Sequence, residues 1–109
     1  MVRLGTALGG RAETLGGLSG LGDLALTAAS ESSRNFAYGL ALGRGLTPAE
    51  LAADGRTYEG AATAGPVAAL AGRLGVEMPV AAVVAMLVSG DLAAPDAVEK
   101  LFNRPLRRE

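Results

Sequence analysis

Residues 66–88 read PVAALAGRLGVEMPVAAVVAMLV, and their apolar side chains recur with the period of an α-helix. The spacing i, i+3, i+4, i+7 occurs twice, first at Val67, Leu70, Ala71 and Leu74 and again at Val80, Val83, Val84 and Leu87. Pro79 suits the first turn of the second helix, and Gly90 suits the position after its end. The stretch therefore predicts two amphipathic or buried helices.

The segments on either side of these two helices also carry helical signals. Within residues 46–51, Thr47 can cap a helix, Pro48 fits its first turn and Glu50 completes a capping box. Residues 1–10 have the pattern of a helix closed by a glycine pair, and residues 95–102 predict a short final helix. No segment alternates apolar and polar residues over the length of a strand. We therefore expect an all-α fold, with a frayed tail at residues 104–109.

The composition limits the chemistry that this chain can carry. Its 109 residues fit one small domain, and with two Tyr, two Phe and no Trp the core must be built from Ala, Leu and Val. Ten basic and eleven acidic residues give a formal net charge of -1, so we expect no nucleic-acid partner. Cys and His are absent, which excludes thiol nucleophiles, disulfides, serine–histidine triads and the usual zinc sites.

The sequence contains no signal for export or membrane insertion. The longest apolar run, residues 78–88, is too short to span a bilayer and contains Pro79. The amino terminus lacks the basic and apolar regions of a signal peptide. We therefore expect a cytoplasmic protein.

Polar residues that could bind a ligand or take part in a reaction are concentrated between residues 18 and 43. The run Gly20-Leu21-Gly22-Asp23-Leu24-Ala25 matches the dinucleotide fingerprint G-x-G-x-x-A, but no predicted strand precedes it, so we reject that interpretation. Asp23 is predicted at a helix start, where its carboxylate either caps main-chain amides or serves a binding site. Residues 32–35, Ser-Ser-Arg-Asn, predict a serine-capped helix start, and an arginine there can bind an anion.

Several of these motifs occur together in one known family. The order Gly20-Leu21-Gly22-Asp23-Leu24, Ser33-Arg34-Asn35 and Val76-Glu77-Met78-Pro79 resembles the C-terminal substrate domain of bacterial NAD(P)-dependent glycerol-3-phosphate dehydrogenases. The resemblance covers essentially the whole chain. It implies a helical bundle of the 6-phosphogluconate dehydrogenase C-terminal type. It also favours a helix that begins near Glu59 and is kinked at Pro66, rather than one that starts near Gly65.

The resemblance implies a set of substrate-binding residues. These are Asp23, Ser33, Arg34 and Asn35, which would contact glycerol 3-phosphate or dihydroxyacetone phosphate. Asp23 would accept a hydrogen bond from a substrate hydroxyl or hold the ammonium of the family's catalytic lysine.

The resemblance also implies residues that contact the nicotinamide cofactor, NAD or NADP. Arg34 would reach the dinucleotide as well as the substrate. Residues 56–60 resemble a cofactor-binding segment Val-x-Glu-Gly, with Thr57 in place of the usual aliphatic residue and Glu59 as the matching glutamate. Glu59 would bind a ribose hydroxyl or pair with Arg34, while an exposed glutamate at a helix start is the structural alternative.

The implied activity is reversible reduction of dihydroxyacetone phosphate to sn-glycerol 3-phosphate, as part of phospholipid synthesis. The chain has no counterpart of the family's nucleotide-binding domain or catalytic lysine. We therefore expect residues 1–109 to form a single substrate-binding domain, with no catalytic or metal-binding residue of its own and no activity in isolation. The alternative is a free-standing helical interaction module without catalysis, such as a homodimer formed through the face that runs from Val80 to Leu87.

Overall fold

The computed structural model describes residues 1–103, and all the regular structure in this range is helical. The α-helices are α1 (Val2–Ala7), α2 (Ala12–Gly16), α3 (Asp23–Ala28), α4 (Arg34–Gly43), α5 (Pro48–Ala52), α6 (Glu59–Arg73), α7 (Pro79–Ser89) and α8 (Ala94–Phe102). A π-helical segment, Leu18–Gly22, lies between α2 and α3. The expected all-α class is confirmed. The tail predicted to fray, residues 104–109, lies outside the described residues.

The helix boundaries follow the local sequence signals. At α5 the Thr47 hydroxyl accepts from the Glu50 N–H at 3.2 Å, and the Glu50 carboxylate accepts from the Thr47 N–H at 2.7 Å, which confirms the capping box. Gly90 ends α7 with φ +81°, a left-handed conformation that glycine adopts without strain. The longer form of α6 is confirmed, because the helix begins at Glu59 and continues through Pro66. The kink at Pro66 stays a prediction.

The buried side chains all lie in the region from α4 to α8. Helices α6 and α7 contact each other, α7 also contacts α5 and α8, and α4 contacts α6 and α8. Three of the six buried residues are alanines, which allow helix axes to approach closely. The buried residues are Tyr38, Leu51, Ala64, Ala71, Val83 and Ala97.

The first 28 residues are helical but bury no side chain. Within this segment α1, α2, the π-helical turn and α3 contact one another in chain order. A Cβ atom on Gly20 would collide with the Leu15 carbonyl, so only glycine fits at this close approach. Five leucines of this segment are exposed, namely Leu8, Leu18, Leu21, Leu24 and Leu26.

The helices described between residues 1 and 103 do not include one that combines the length and the hydropathy needed to cross a bilayer.

Candidate functional site

The start of α4 carries three of the four residues that were predicted to bind the substrate, Ser33, Arg34 and Asn35. Ser33 caps the helix, since its Oγ accepts from the Phe36 N–H at 3.4 Å, and this confirms the predicted serine cap. Arg34 is the first helical residue, and its side chain is exposed and forms no ion pair within residues 1–103. An anion at this position can therefore contact the free amides of the first turn and the guanidinium, and it lies at the positive end of the helix dipole.

Asn35 connects the start of α4 to the start of α6. Its Oδ1 accepts from the Gly60 N–H at 2.9 Å. Tyr58, the residue that precedes α6, provides no side-chain cap, so Asn35 supplies the capping acceptor from a neighbouring helix. A Cβ atom at position 60 would lie only 2.6 Å from Asn35 Oδ1. The hydrogen bond between Asn35 and the N–H of residue 60 therefore requires glycine at that position. The bond uses only the amide oxygen, so the NH₂ group of Asn35 is left to donate to a ligand.

The residues predicted to bind the cofactor lie at this second helix start. Glu59 is the first residue of α6 and Thr57 lies in the loop just before it, and both side chains are exposed. Glu59 does not pair with Arg34 in the described part of the chain, so the carboxylate is open to another partner. Through the Asn35–Gly60 bond, the structure brings the starts of α4 and α6 together.

Asp23 is the first residue of α3, and its side chain is exposed. The carboxylate caps no main-chain amide, because the preceding residues form the π-helical segment and enter α3 without a break in helical conformation. Helix α3 contacts α4. The capping interpretation of Asp23 is therefore wrong, while its binding role stays a prediction.

A group of three residues beside the site was missed in the sequence. The rings of Tyr38 in α4 and Tyr58 before α6 lie 4.8 Å apart, centroid to centroid, at 54°. The Tyr58 hydroxyl donates to Asp54 Oδ2 at 2.7 Å, and Asp54 Oδ1 accepts from the Arg56 N–H at 2.7 Å. Asp54-Gly55 is a dipeptide typical of turns, which was the only available signal. The contact with Tyr38 joins residues that are distant in sequence and has no local pattern.

Hydrogen bonds shift the pKa values of Asp54 and Tyr58, and burial shifts that of Tyr38. The hydrogen bond from Tyr58, followed by that from the Arg56 N–H, lowers the pKa of Asp54. The same bond to Asp54 raises the pKa of Tyr58. Burial raises the pKa of Tyr38. At neutral pH the group therefore consists of one carboxylate and two neutral phenols.

A cavity of about 300 Å³ lies between α4, α6 and α7, next to the Asn35–Gly60 bond. Asn35 and Tyr38 provide its polar atoms. The rest of the wall is glycine or apolar: Gly39, Leu42, Gly60, Ala61, Val84, Leu87 and Val88. Such a wall suits an apolar group better than a phosphate. Within residues 1–103 no cluster of three acidic side chains is placed to hold a metal ion.

The described residues form an all-helical domain in which the capped start of α4, with the exposed Arg34, is joined to the start of α6 by the Asn35–Gly60 hydrogen bond. Residues 1–99 match the family described as NAD-dependent glycerol-3-phosphate dehydrogenase C-terminus, and the chain belongs to this family. The resemblance drawn from the sequence motifs is thereby confirmed.

Two similar relatives are full-length enzymes, and the chain matches one part of each. The chain is 57% identical over 109 residues to glycerol-3-phosphate dehydrogenase [NAD(P)+] of Paracoccus denitrificans and 55% identical to that of Methylobacterium radiotolerans. All of this chain is matched in both comparisons, against 33% and 32% of the respective relatives. The chain thus spans about a third of the length of the curated relatives that it matches.

A solved structure supports the fold. The crystal structure of glycerol-3-phosphate dehydrogenase from Coxiella burnetii aligns with a TM-score of 0.84 at 43% identity, over 94% of this chain and 32% of that one. The predicted helical bundle is therefore the fold of the corresponding domain in that enzyme.

Proposed function

We propose that this chain is the substrate-binding domain of an NAD(P)-dependent glycerol-3-phosphate dehydrogenase that interconverts dihydroxyacetone phosphate and sn-glycerol 3-phosphate. The observation that carries the proposal is Arg34 at the capped start of α4, next to the start of α6, with no ion pair to any other residue of the range 1–103. A phosphate dianion matches this combination of guanidinium and helix N-terminus. Family membership connects that chemistry with the dehydrogenase reaction.

Each residue of the site has a role in this proposal. Arg34 and Ser33 bind the phosphate, and the NH₂ group of Asn35 donates to a substrate oxygen. Asp23 accepts from a substrate hydroxyl or holds the ammonium of the family's catalytic lysine. In this way the domain orients the substrate for reaction.

The cofactor side of the site lies at the start of α6. Thr57 and Glu59 hold NAD or NADP there, with Arg34 reaching the dinucleotide from α4. The nicotinamide supplies the hydride chemistry when it is bound, while the protein contributes binding and orientation.

The proposal extends to location and assembly. A cytoplasmic location fits a highly charged cofactor and a phosphorylated substrate, because neither crosses a bilayer unaided. A homodimer is proposed through α7, where Val80 is 52% and Val84 is 37% exposed.

A chimera tests the function directly. This chain replaces the C-terminal third of the Paracoccus denitrificans enzyme, and NADH oxidation by dihydroxyacetone phosphate is followed by absorbance. We expect turnover by the chimera and none by the isolated 109-residue chain. A folded chimera without turnover would contradict the proposal and favour the non-catalytic interaction module.

Arg34 variants of the chimera test the phosphate role. Arg34→Ala should raise KM for dihydroxyacetone phosphate roughly ten- to a hundred-fold, because it removes a charge-assisted hydrogen bond that contributes ~1.5–3 kcal/mol. Arg34→Lys should recover part of this loss, since a point charge cannot make a two-pronged contact. Arg44→Ala is the matched control, because Arg44 caps the other end of the same helix. If Arg34→Ala impairs the use of unphosphorylated dihydroxyacetone as much as that of dihydroxyacetone phosphate, Arg34 does not bind the phosphate.

A further inference from the structure

We propose that Asp54 and Tyr58 are positioning residues that hold Thr57 and Glu59 against α4 and thereby set the cofactor-binding edge of the site. This inference rests on the proposed function. It concerns residues that the family motifs do not include, since Tyr58 occupies the unspecified place in the Val-x-Glu-Gly segment.

The side chain of Tyr58 is fixed at both ends. Its ring lies against Tyr38, which is only 8% exposed and therefore part of the packed core. Its hydroxyl is bound by Asp54, and Asp54 is itself held by the Arg56 N–H in a tight turn. Because Tyr58 lies between Thr57 and Glu59 in the chain, fixing Tyr58 also restricts both neighbours.

The start of α6 has a second connection to the same helix. Asn35 binds the Gly60 N–H, so contacts with α4 occur on both sides of Glu59. No ion pair between Arg34 and Glu59 forms within residues 1–103. The relative placement of these two charged groups therefore depends on the contacts of Tyr58 and Asn35 rather than on their own attraction.

Both members of the Asp54–Tyr58 bond are accessible to water, so its loss should weaken positioning without unfolding the domain. We expect Asp54→Ala in the chimera to raise KM for NADH about three- to tenfold with kcat within about twofold of the parent. Asp54→Asn should recover most of this loss, because the amide can still bond to both the Arg56 N–H and the Tyr58 hydroxyl. The double variant Asp54→Ala/Tyr58→Phe should be no worse than Asp54→Ala, since the two residues share one bond.

Asp91→Ala provides the matched control. Asp91 accepts from the Ser89 hydroxyl at 2.6 Å in the turn after α7, so it is also an acidic turn residue bound to a side-chain hydroxyl. This variant should leave KM for NADH unchanged. Melting temperatures of both variants are recorded in parallel, so that a loss of stability can be separated from a loss of positioning.

The outcomes separate this inference from the proposed function. An active chimera whose KM for NADH is unaffected by Asp54→Ala, or equally affected by Asp91→Ala, overturns the positioning role alone. An inactive chimera contradicts the proposed function. In that case the positioning role is tested by calorimetry, which compares the affinity for NADH of the chimera and of its Asp54→Ala variant. If the Asp54→Ala variant binds NADH more weakly than its parent, the positioning role is supported. If the two bind NADH equally, or if the parent does not bind NADH, the role is overturned.

Discussion

Residues 1–28 and residues 34–102 are both helical, but the two regions differ in what their apolar side chains contact. In the first region Leu26 is 76% exposed and Leu18 is 92% exposed. In the second, Leu51 is 4% exposed and Val83 is 4% exposed. The comparison shows that helix formation and core formation are separate properties, because the first depends on local sequence and the second on what lies across the helix face.

The two regions are also held together differently. Residues 1–28 rely on close approaches of glycine to Leu15 and on a surface ion pair, Arg11–Glu13, at 3.6 Å. Helices α4–α8 combine buried alanines with a capping box and the cross-helix bond from Asn35 to Gly60. Because exposed ion pairs contribute little, we expect most of the free energy of unfolding to come from the second region.

The same substitution in each region gives the largest expected contrast. Leu51→Ala should lower the free energy of unfolding of the isolated chain by about 2–5 kcal/mol, since it leaves a cavity in the core. Leu26→Ala should change it by no more than about 0.5 kcal/mol. Urea denaturation followed by circular dichroism measures both values. Similar losses in the two variants would show that residues 1–28 have a core of their own.

A pair of glycine substitutions should give a smaller contrast. Gly60→Ala displaces the Asn35 amide, and the lost hydrogen bond should cost about 1 kcal/mol. Gly16, at the end of α2, has open space around it, so Gly16→Ala should stabilise by about 0.4–1 kcal/mol. The measurement is whether each substitution lowers or raises the free energy of unfolding. A stabilising Gly60→Ala would mean that the bond between α4 and α6 is dispensable.

The smallest effect concerns acid stability. Hydrogen bonds from Thr47, chiefly from its main-chain N–H, lower the pKa of Glu50. A carboxylate with a lowered folded pKa stabilises the fold above its ordinary pKa of about 4.3, and this contribution is lost as the pH falls through the folded value. The drop in melting temperature between about pH 5 and pH 3 should therefore be smaller in Glu50→Gln than in the parent.

Glu13→Gln is the control from the other region. Glu13 also lies in the first turn of a five-residue helix, but its partner is the exposed Arg11. Because an exposed ion pair contributes little to stability, Glu13→Gln should change the melting temperature less than Glu50→Gln does. An equal effect of both substitutions would contradict the assignment of acid sensitivity to the capping box.

The fold could largely be predicted from the sequence, because its signals are local. Caps at Thr47 and Ser33, the proline at position 79 and the left-handed Gly90 each act within one turn of helix. The choice between two starts for α6 came from the family resemblance, since proline fits both a first turn and a kinked interior. The π-helical segment at residues 18–22 was not predicted, because no periodic pattern distinguishes it from an ordinary helix start.

The candidate site could be predicted only in part. The resemblance selected Arg34 and Glu59, and the structure places them at the starts of two connected helices. Two features depend on tertiary geometry instead: the use of Asn35 Oδ1 as a cap for α6, and the contact between Tyr38 and Tyr58. Both join residues at least 20 positions apart, beyond the range of any local propensity.

The contact between Tyr38 and Tyr58 also gives this chain an intrinsic optical probe. The sequence has no tryptophan and no other tyrosine, so all of its phenol absorption and emission comes from one point where α4 meets the segment before α6. A change in the tyrosine bands of the near-ultraviolet circular dichroism, or in tyrosine emission, therefore reports on that point alone. Rearrangement beside the site can be followed in the unlabelled domain, without any substitution or dye.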